Sequence, residues 1–222
     1  MKVLVVAAHP DDEVLGCGGT MAKLASQGDQ VKSLFLADGV GARGPTDGGA
    51  LADRMAAATA AAQILGSDAP RHENLPDNRL DTLPMLELAQ AVERGVAEFR
   101  PDRVYTHHHG DLNVDHRLTH DAVLTACRPL PEQSVTSIYA FETLSSTEWG
   151  GPYGEQAFLP NHFENIDGFL DRKLEALTAY DMEMAAFPHP RSPEAVRALA
   201  ILRGANSGFH AAEAFMLVRS LN

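Results

Sequence analysis

The hydrophobic positions along the chain form segments of two kinds, which alternate with each other. Short and mostly apolar segments predict buried strands over 3–7, 31–37, 103–106, 135–141 and 214–218, and the more polar segment 70–75 is a further candidate for a short strand. Longer segments whose apolar residues recur at helical spacing predict helices over 21–27, 51–65, 85–99, 166–180 and 193–202, with one more from about 115. Alternating strands and helices are typical of an α/β fold, so we expect a mostly parallel sheet with helices on both faces.

Four ionisable side chains directly follow the first predicted strand. They are His9, Asp11, Asp12 and Glu13, within the sequence AHPDDE at 8–13. The carboxyl end of a strand is where α/β sheets bind ligands. A divalent cation accounts for this cluster most simply, and imidazole with carboxylate suits Zn²⁺ better than Mg²⁺ or Ca²⁺. The alternative is the first turn of a helix, where acids complement the helix dipole and cap free N–H groups.

A second polar segment, HHHGDLNVDHR at 107–117, follows the strand that begins at Arg103. Together with His120 it holds five of the ten histidines of the chain. Because both polar segments follow strands of one sheet, we expect them to converge on one crevice. Helical spacing from about Asp115 places His116 in a first turn, and a third ligand from this segment completes a His/Asp/His set, the open arrangement of a catalytic zinc. The alternative for each histidine is a surface or hydrogen-bonded residue that binds no metal.

The glycine-rich segment 15–20 has two interpretations. A dinucleotide-binding turn requires a third glycine where Met21 stands, so the spacing argues against nucleotide binding. We expect instead that these glycines allow backbone to pack tightly beneath a metal site. Further along, 39–49 predicts either a mobile loop that closes over the crevice or a simple connector, and 145–159 predicts irregular structure.

Length, charge and cysteine content narrow the class of protein. The chain has 222 residues, which suits one domain over 1–222. A formal net charge of −12, without any cluster of Lys or Arg, argues against a nucleic-acid partner. No apolar segment approaches the ~20 residues of a membrane span, and the N-terminus lacks the basic region of a signal peptide. Cys17 and Cys127 imply no disulfide framework, so we expect a cytoplasmic protein.

The two polar segments, AHPDDE at 8–13 and NVDHR at 113–117, resemble the motifs of the LmbE-like (PIG-L type) zinc-dependent N-deacetylases. The resemblance spans nearly the whole chain, and further family features occur in the same order at 15–20, Asp38-Gly39, Arg54, 65–66 and 212–215. It implies a Rossmann-like α/β fold with zinc as cofactor, although Fe²⁺ suits the same ligands. It also implies a small amino-sugar substrate and, as in many relatives, a homo-oligomer.

Carried over residue by residue, the resemblance implies that His9, Asp12 and His116 are the zinc ligands and that Asp11 is the general base. Such a metal lowers the pKa of water toward ~7 and polarises the amide carbonyl, while a carboxylate takes the proton. Asp115 is a candidate partner for a ligand histidine. The further candidates around the site are Asp38, Arg54, His109 and Asn113.

Two positions depart from the family pattern. Many relatives carry a histidine three positions before the last ligand, where this chain has Asn113. An amide cannot deliver a proton, so the acid role passes to Asp11 alone or to one of three histidines, His107, His109 or His210. Ala57 stands where an acid often follows Arg54 by three positions, so Arg54 is either free to meet an anionic or hydroxyl-rich substrate or simply exposed.

These residues predict a zinc-dependent hydrolase that removes an N-acetyl or other small N-acyl group from an amino-sugar derivative, such as an N-acetylglucosamine conjugate. One alternative is a metal-dependent amidase acting on a non-sugar amide, such as an acylated peptide or antibiotic. Another is a metal- or sugar-binding protein without activity. The carboxylate of Asp11 beside the ligand set argues against a pure binding protein, which has no need of a base.

Overall fold

A computed structural model describes residues 1–41, 48–151 and 154–221, and within them the chain forms seven strands and six α-helices. The strands are β1 Lys2–Ala7, β2 Gln30–Ala37, β3 Arg71–Leu75, β4 Arg103–His107, β5 Ser137–Phe141, β6 His162–Asn165 and β7 Ala212–Ser220. The helices are α1 Asp12–Ser26, α2 Gly48–Leu65, α3 Met85–Phe99, α4 Val114–Ala126, α5 Leu170–Thr178 and α6 Pro193–Ala205. No helix among these residues is long and apolar enough to span a bilayer.

The strands form one sheet in the order β3-β2-β1-β4-β5-β7-β6. The first five are parallel, and β7 is antiparallel to both of its neighbours, which confirms the predicted mostly parallel α/β architecture. β1 pairs with β2 on one side and with β4 on the other, so the strand order reverses there. Ligands of open α/β sheets bind outside the carboxyl ends of the strands at such a point, and both polar segments emerge there.

The two faces of the sheet are covered by different helices, as predicted. Val3 and Val5 of β1 pack in a core with side chains from α1, α2, α5 and α6. Leu4 and Val6 point the other way, into a core formed with α3 and α4. All four side chains are fully buried. Burial on both faces explains why the first strand is a continuous apolar segment and does not alternate with polar residues.

The prediction for α1 was wrong at its start, because the helix begins at Asp12 and contains the glycine-rich segment. A Cβ on Gly16 would overlap the ring of Phe141, and one on Gly19 would lie 2.8 Å from the side chain of Ile166. Glycine weakens an isolated helix by about 1 kcal/mol, but here its missing side chain lets the helix approach the sheet. The expected tight backbone packing is present, inside a helix rather than a turn.

A buried ion pair joins the two halves of α1, which is kinked at Cys17 (φ −147°). Before the kink, Lys173 Nζ donates to the Leu15 carbonyl at 2.8 Å. After it, the Glu213 carboxylate accepts from the backbone N–H groups of Gly19 (2.9 Å) and Thr20 (2.7 Å). Lys173 and Glu213 also contact each other at 2.6 Å. The pair therefore satisfies backbone groups that the kink frees, and it fixes the half of α1 that carries Asp12.

The remaining boundaries agree with the predicted elements within a few residues, and α3 agrees at both ends. The strand β6 was not predicted, and α5 begins at Leu170 rather than at 166. Within the segment 145–159, the described residues 145–151 and 154–159 are irregular as expected and contain two short 3₁₀ turns. Most of the predicted mobile loop over 39–49 lies outside the described residues.

Candidate metal centre

The three predicted ligands lie together at the carboxyl ends of β1 and β4. His9 lies on the turn after β1, Asp12 is the first residue of α1, and His116 lies in the first turn of α4. Each offers one ligand atom, and these atoms lie within 4.8 Å of one another. Asp12 Oδ2 is 3.2 Å from His9 Nδ1 and 3.3 Å from His116 Nε2. All three residues are buried.

The donor set fits a divalent metal ion. Among the described residues, Asp12 Oδ1 and His116 Nε2 are buried side-chain atoms without a hydrogen-bond partner. Such atoms are costly in a folded protein, and each needs an explanation. A cation bound between imidazole and carboxylate ligands would satisfy both atoms, and this N/O set suits Zn²⁺.

The neighbouring His107 fixes the backbone around the ligands. The Ala8 N–H donates to His107 Nε2 at 2.9 Å, which joins the residue after β1 to the end of β4. The His107 ring stacks on the His116 ring, with their centroids 3.9 Å apart. Burial lowers the pKa of His107 well below its usual value, so the ring is neutral and accepts this hydrogen bond. His107 is thus engaged with backbone and is not placed to donate a proton to a substrate.

Asp111 orients the ligand His116, and sequence reasoning missed this role. His116 Nδ1 donates to Asp111 Oδ1 at 3.1 Å, while Ser146 Oγ and Thr147 Oγ1 donate to the two carboxylate oxygens. Burial raises the pKa of Asp111, but the hydrogen bond and charge of His116 outweigh it and lower the pKa to about 2. Asp111 is therefore a carboxylate that holds Nδ1, which leaves Nε2 of His116 for a metal.

Replacing Asp111 with asparagine is expected to weaken zinc binding by about 10–100-fold, because the ligand imidazole loses its charged partner. Competition with a chelating dye measures the affinity. The same substitution at Asp171, whose side chain is 89% exposed, serves as the control and leaves the affinity unchanged. Wild-type affinity in the Asp111 variant would contradict the assigned role.

His9 contacts carboxylates on both sides of its ring. Its Nε2 lies 3.1 Å from Asp115 Oδ2 and 3.2 Å from Asp77 Oδ1. Asp115 is held by the Leu80 N–H, which donates to Oδ1 at 3.0 Å. The structure thus places Asp115 beside a candidate ligand, where the sequence prediction put it. Asp77 was not predicted, because it follows Pro76 in a segment whose sequence is that of a simple turn.

Asp11 directs its carboxylate into a cavity beside the ligands. Its backbone has φ 120°, a conformation that L-residues rarely adopt and that costs about 1–3 kcal/mol. The Asp11 N–H donates to the Glu13 carboxylate at 3.0 Å, and the same carboxylate accepts from the Tyr180 hydroxyl at 2.7 Å. Burial raises the pKa of Asp11 to about 6, against the opposing charge of Arg191, so Asp11 is a carboxylate at neutral pH.

The alternative interpretation of the first cluster is correct in one respect. Asp12 and Glu13 do lie in the first turn of α1, where acids complement the helix dipole. The side chain of Asp11, at the N-cap position, makes no capping hydrogen bond. Helix capping therefore does not account for Asp11, whose carboxylate contacts Arg191 at 2.8 Å instead.

The cavity has a volume of about 130 Å³ and a mostly polar lining. Besides His9, His116 and Asp11, its wall includes eight further polar side chains: Arg54, Asp77, Asn78, Asn113, Ser145, Ser146, Glu183 and Arg191. The side chain of Asn113 caps α4, since its Oδ1 accepts from the Asp115 N–H at 2.8 Å. Its Nδ2 donates to Asn78 Oδ1 at 3.2 Å. The residue in place of the usual histidine thus has a structural function at the helix start.

Arg54 contributes to the cavity wall and is not simply exposed. Its Nη2 donates to the Gly39 carbonyl at 3.1 Å and pairs with Glu183 at 2.8 Å. Asp38, in contrast, accepts from the N–H groups of Val40 and Gly41 and so holds the turn after β2. It is not part of the cavity lining. Asp38 thus holds the turn next to Gly39, which does line the cavity, and its role in the site stays a prediction.

His109 and His210, two of the candidate proton donors, are exposed and do not line the cavity. His109 packs against the rings of His108 and His120 on the outer side of the segment. Clustering of histidines in the sequence suggested a site residue, but the chain turns after β4 and points His109 outward. Of the groups considered for the acid role, Asp11 alone lines the cavity.

Comparison with known proteins gives the family. The family profile described as PIG-L, GlcNAc-PI de-N-acetylase, matches residues 4–127, a segment that includes His9, Asp12 and His116. The uncharacterized deacetylase YaiS of Escherichia coli K12 is 32% identical over 181 residues, 79% of this chain and 88% of that protein. A probable N-acetyl-alpha-D-glucosaminyl L-malate deacetylase 2 of Bacillus cereus is 28% identical over 194 residues, 83% of this chain and 84% of that protein.

The fold is that of solved family structures. The conserved protein TT1542 from Thermus thermophilus superposes with a TM-score of 0.78 at 25% identity, over 99% of this chain and 96% of that chain. Sequence and structure therefore agree over nearly the whole length. The chain belongs to the PIG-L (LmbE-like) family of deacetylases, hydrolytic enzymes that act on N-acetyl amides.

Proposed function

We propose that this protein is a metal-dependent N-deacetylase that acts on amino-sugar derivatives such as N-acetylglucosamine conjugates. The observation that carries the proposal is a pair of buried atoms without a hydrogen-bond partner, Asp12 Oδ1 and His116 Nε2, next to the Asp11 carboxylate. In this proposal His9, Asp12 and His116 hold the metal, and Asp11 is the catalytic base. The related deacetylases from Escherichia coli and Bacillus cereus support the reaction class.

When bound, a divalent cation supplies Lewis acidity, which lowers the pKa of water and polarises an amide carbonyl. Asp11 accepts a proton from the attacking water as its oxygen bonds to the carbonyl carbon. The carbon–nitrogen bond then breaks, and Asp11 returns the proton to the leaving amine nitrogen. The products are the free amino sugar and a carboxylic acid, which loses its remaining proton to solvent at neutral pH.

The lining of the cavity supports a sugar rather than an apolar substrate. Arg54, Asn78 and Asn113 present guanidinium and amide groups, which hydrogen-bond hydroxyl groups well. These groups already have protein partners, Glu183 for Arg54 and each other for the two asparagines, but hydroxyl groups can exchange hydrogen bonds with them, whereas an apolar acyl chain would only remove them from water at a cost. The substrate named for the Bacillus cereus relative, an N-acetylglucosaminyl malate, is of the same chemical type.

Metal removal tests the proposal. We expect protein stripped with a chelator to release no primary amine from N-acetylglucosamine conjugates, and one equivalent of Zn²⁺ to restore release. A parallel series with Fe²⁺ identifies the preferred ion, because the same ligands suit both. An N-acetyl peptide serves as the comparison substrate. Hydrolysis of the peptide alone would contradict an amino-sugar substrate. If no amide is hydrolysed although zinc is bound, the proposed deacetylase activity is contradicted.

Three further properties belong to the same proposal. Cys17 and Cys127 are buried free thiols, which fits the reducing cytoplasm expected from the sequence. The two helical layers share one sheet, which supports a single domain over 1–222. Assembly into a homo-oligomer stays a prediction that sedimentation velocity tests.

A further inference from the structure

The carboxylate of Asp11 is held from the opposite side of the cavity by a residue far away in the sequence. Arg191 Nη1 donates to Asp11 Oδ2 at 2.8 Å. Asp11 lies on the turn between β1 and α1, whereas Arg191 lies just before α6. Glu13 holds the backbone N–H of Asp11, and among the described residues the hydrogen bond to its carboxylate comes from Arg191, so the orientation of that carboxylate depends on this contact.

The Arg191 side chain is itself held in place by two further contacts. Its Nε donates to Ser145 Oγ at 2.6 Å, and its Nη1 lies 3.5 Å from Glu183 Oε2. Glu183 also pairs with Arg54 at 2.8 Å, so the two arginines are joined through one carboxylate. The next residue, Ser192, caps α6 by accepting from the Ala195 N–H at 3.1 Å, which fixes the backbone at this point. The Arg191 side chain is 18% exposed.

We propose that Arg191 is a positioning residue: its guanidinium engages Oδ2 of Asp11 and thereby presents Oδ1 of that carboxylate to the reacting water. The inference rests on the proposed function, in which Asp11 accepts the proton. A planar guanidinium donates in two fixed directions, to Ser145 through Nε and to Asp11 through Nη1. The ammonium of a lysine is a point charge on a flexible stem and does not reproduce this geometry.

Kinetics of three variants test the proposal. Arg191→Ala is expected to lower kcat about 10²-fold, the effect of a misplaced catalytic group, with unchanged KM and zinc content. Arg191→Lys keeps the positive charge and much of the side-chain volume, so we expect it to fold like the wild-type protein. Its kcat is nevertheless expected to remain well below the wild-type value. Arg197→Ala on α6, whose side chain is 48% exposed, is the matched control and retains wild-type kcat. Wild-type kcat in either Arg191 variant overturns the proposal.

Chemical rescue separates positioning from a general structural role. Added guanidinium, below its denaturing range, is expected to raise kcat of the Arg191→Ala variant, whereas sodium chloride at the same ionic strength does not. An effect of salt equal to that of guanidinium overturns the proposal, because it would show screening rather than a specific contact.

Crystal structures of the zinc-loaded wild-type protein and Arg191→Ala variant decide the same question without turnover. We expect the Asp11 carboxylate to leave its wild-type rotamer in the variant. An Asp11 that keeps its place overturns the proposal. If the wild-type protein releases no amine from any conjugate, the proposed function fails, and the comparison of these two structures still decides the role of Arg191.

Discussion

Replacing Asp11 with asparagine is expected to lower kcat by about 10²–10⁴-fold, the range that a positioned general base contributes. The amide of asparagine has nearly the same shape but cannot accept the proton from water. The metal should remain bound, because Asp11 is not one of the three proposed ligands. Steady-state amine release, with zinc content measured on the same sample, checks both expectations.

The same substitution at the exposed Asp171 provides the control and is expected to leave kcat unchanged. A variant of Asp11 that retains wild-type kcat would remove the base from the proposed reaction. Loss of zinc together with activity would instead identify Asp11 as part of the metal site.

Replacing Lys173 with methionine is expected to destabilise the fold by about 3–5 kcal/mol, the usual cost of leaving one partner of a buried ion pair without the other. The side chains of Lys173 and Glu213 are 5% and 4% exposed, so water cannot compensate the stranded carboxylate. For a chain of this size the change corresponds to a Tm lower by roughly 6–20 °C. Thermal unfolding followed by circular dichroism measures it.

The double variant Lys173→Met with Glu213→Gln is the informative comparison. With both charges removed, no uncompensated ion remains, so we expect the double variant to be more stable than Lys173→Met alone. A double variant that loses the sum of both single effects would show that the two residues stabilise α1 independently. It would contradict the assignment of the pair as one unit.

The position of the candidate metal centre could be predicted because its residues follow directly or closely after the ends of two parallel strands. His9 and Asp12 are three residues apart after a continuous apolar strand, and parallel strands bring the residues after their carboxyl ends to one edge of a sheet. His116 could be placed near them because it begins a predicted helix a few residues after another strand of the same sheet. The convergence of the two segments needs only the direction of the strands, whereas the choice of His9, Asp12 and His116 as the ligands also depends on the resemblance to the family motifs.

Contacts between distant segments could not be predicted. Arg191 and Glu183 lie after the helix α5, on a stretch with no repeated pattern, and nothing in the sequence links them to Asp11 or Arg54. Asp111 was visible within a polar segment, but its role depends on hydroxyl groups that another loop brings to it. The start of α1 was missed because local helix propensity, which disfavours glycine, is overridden by packing against Phe141.

The placement of β7 inside the sheet has a consequence for synthesis on the ribosome. All three proposed ligands leave the ribosome with the first part of the chain, whereas β7 separates β5 from β6 and is made near the end. Until then β5 is an open, apolar edge, the kind of surface that pairs with other chains. A nascent chain paused after α6 therefore already contains the three proposed metal ligands but still depends on protection from aggregation until β7 is made.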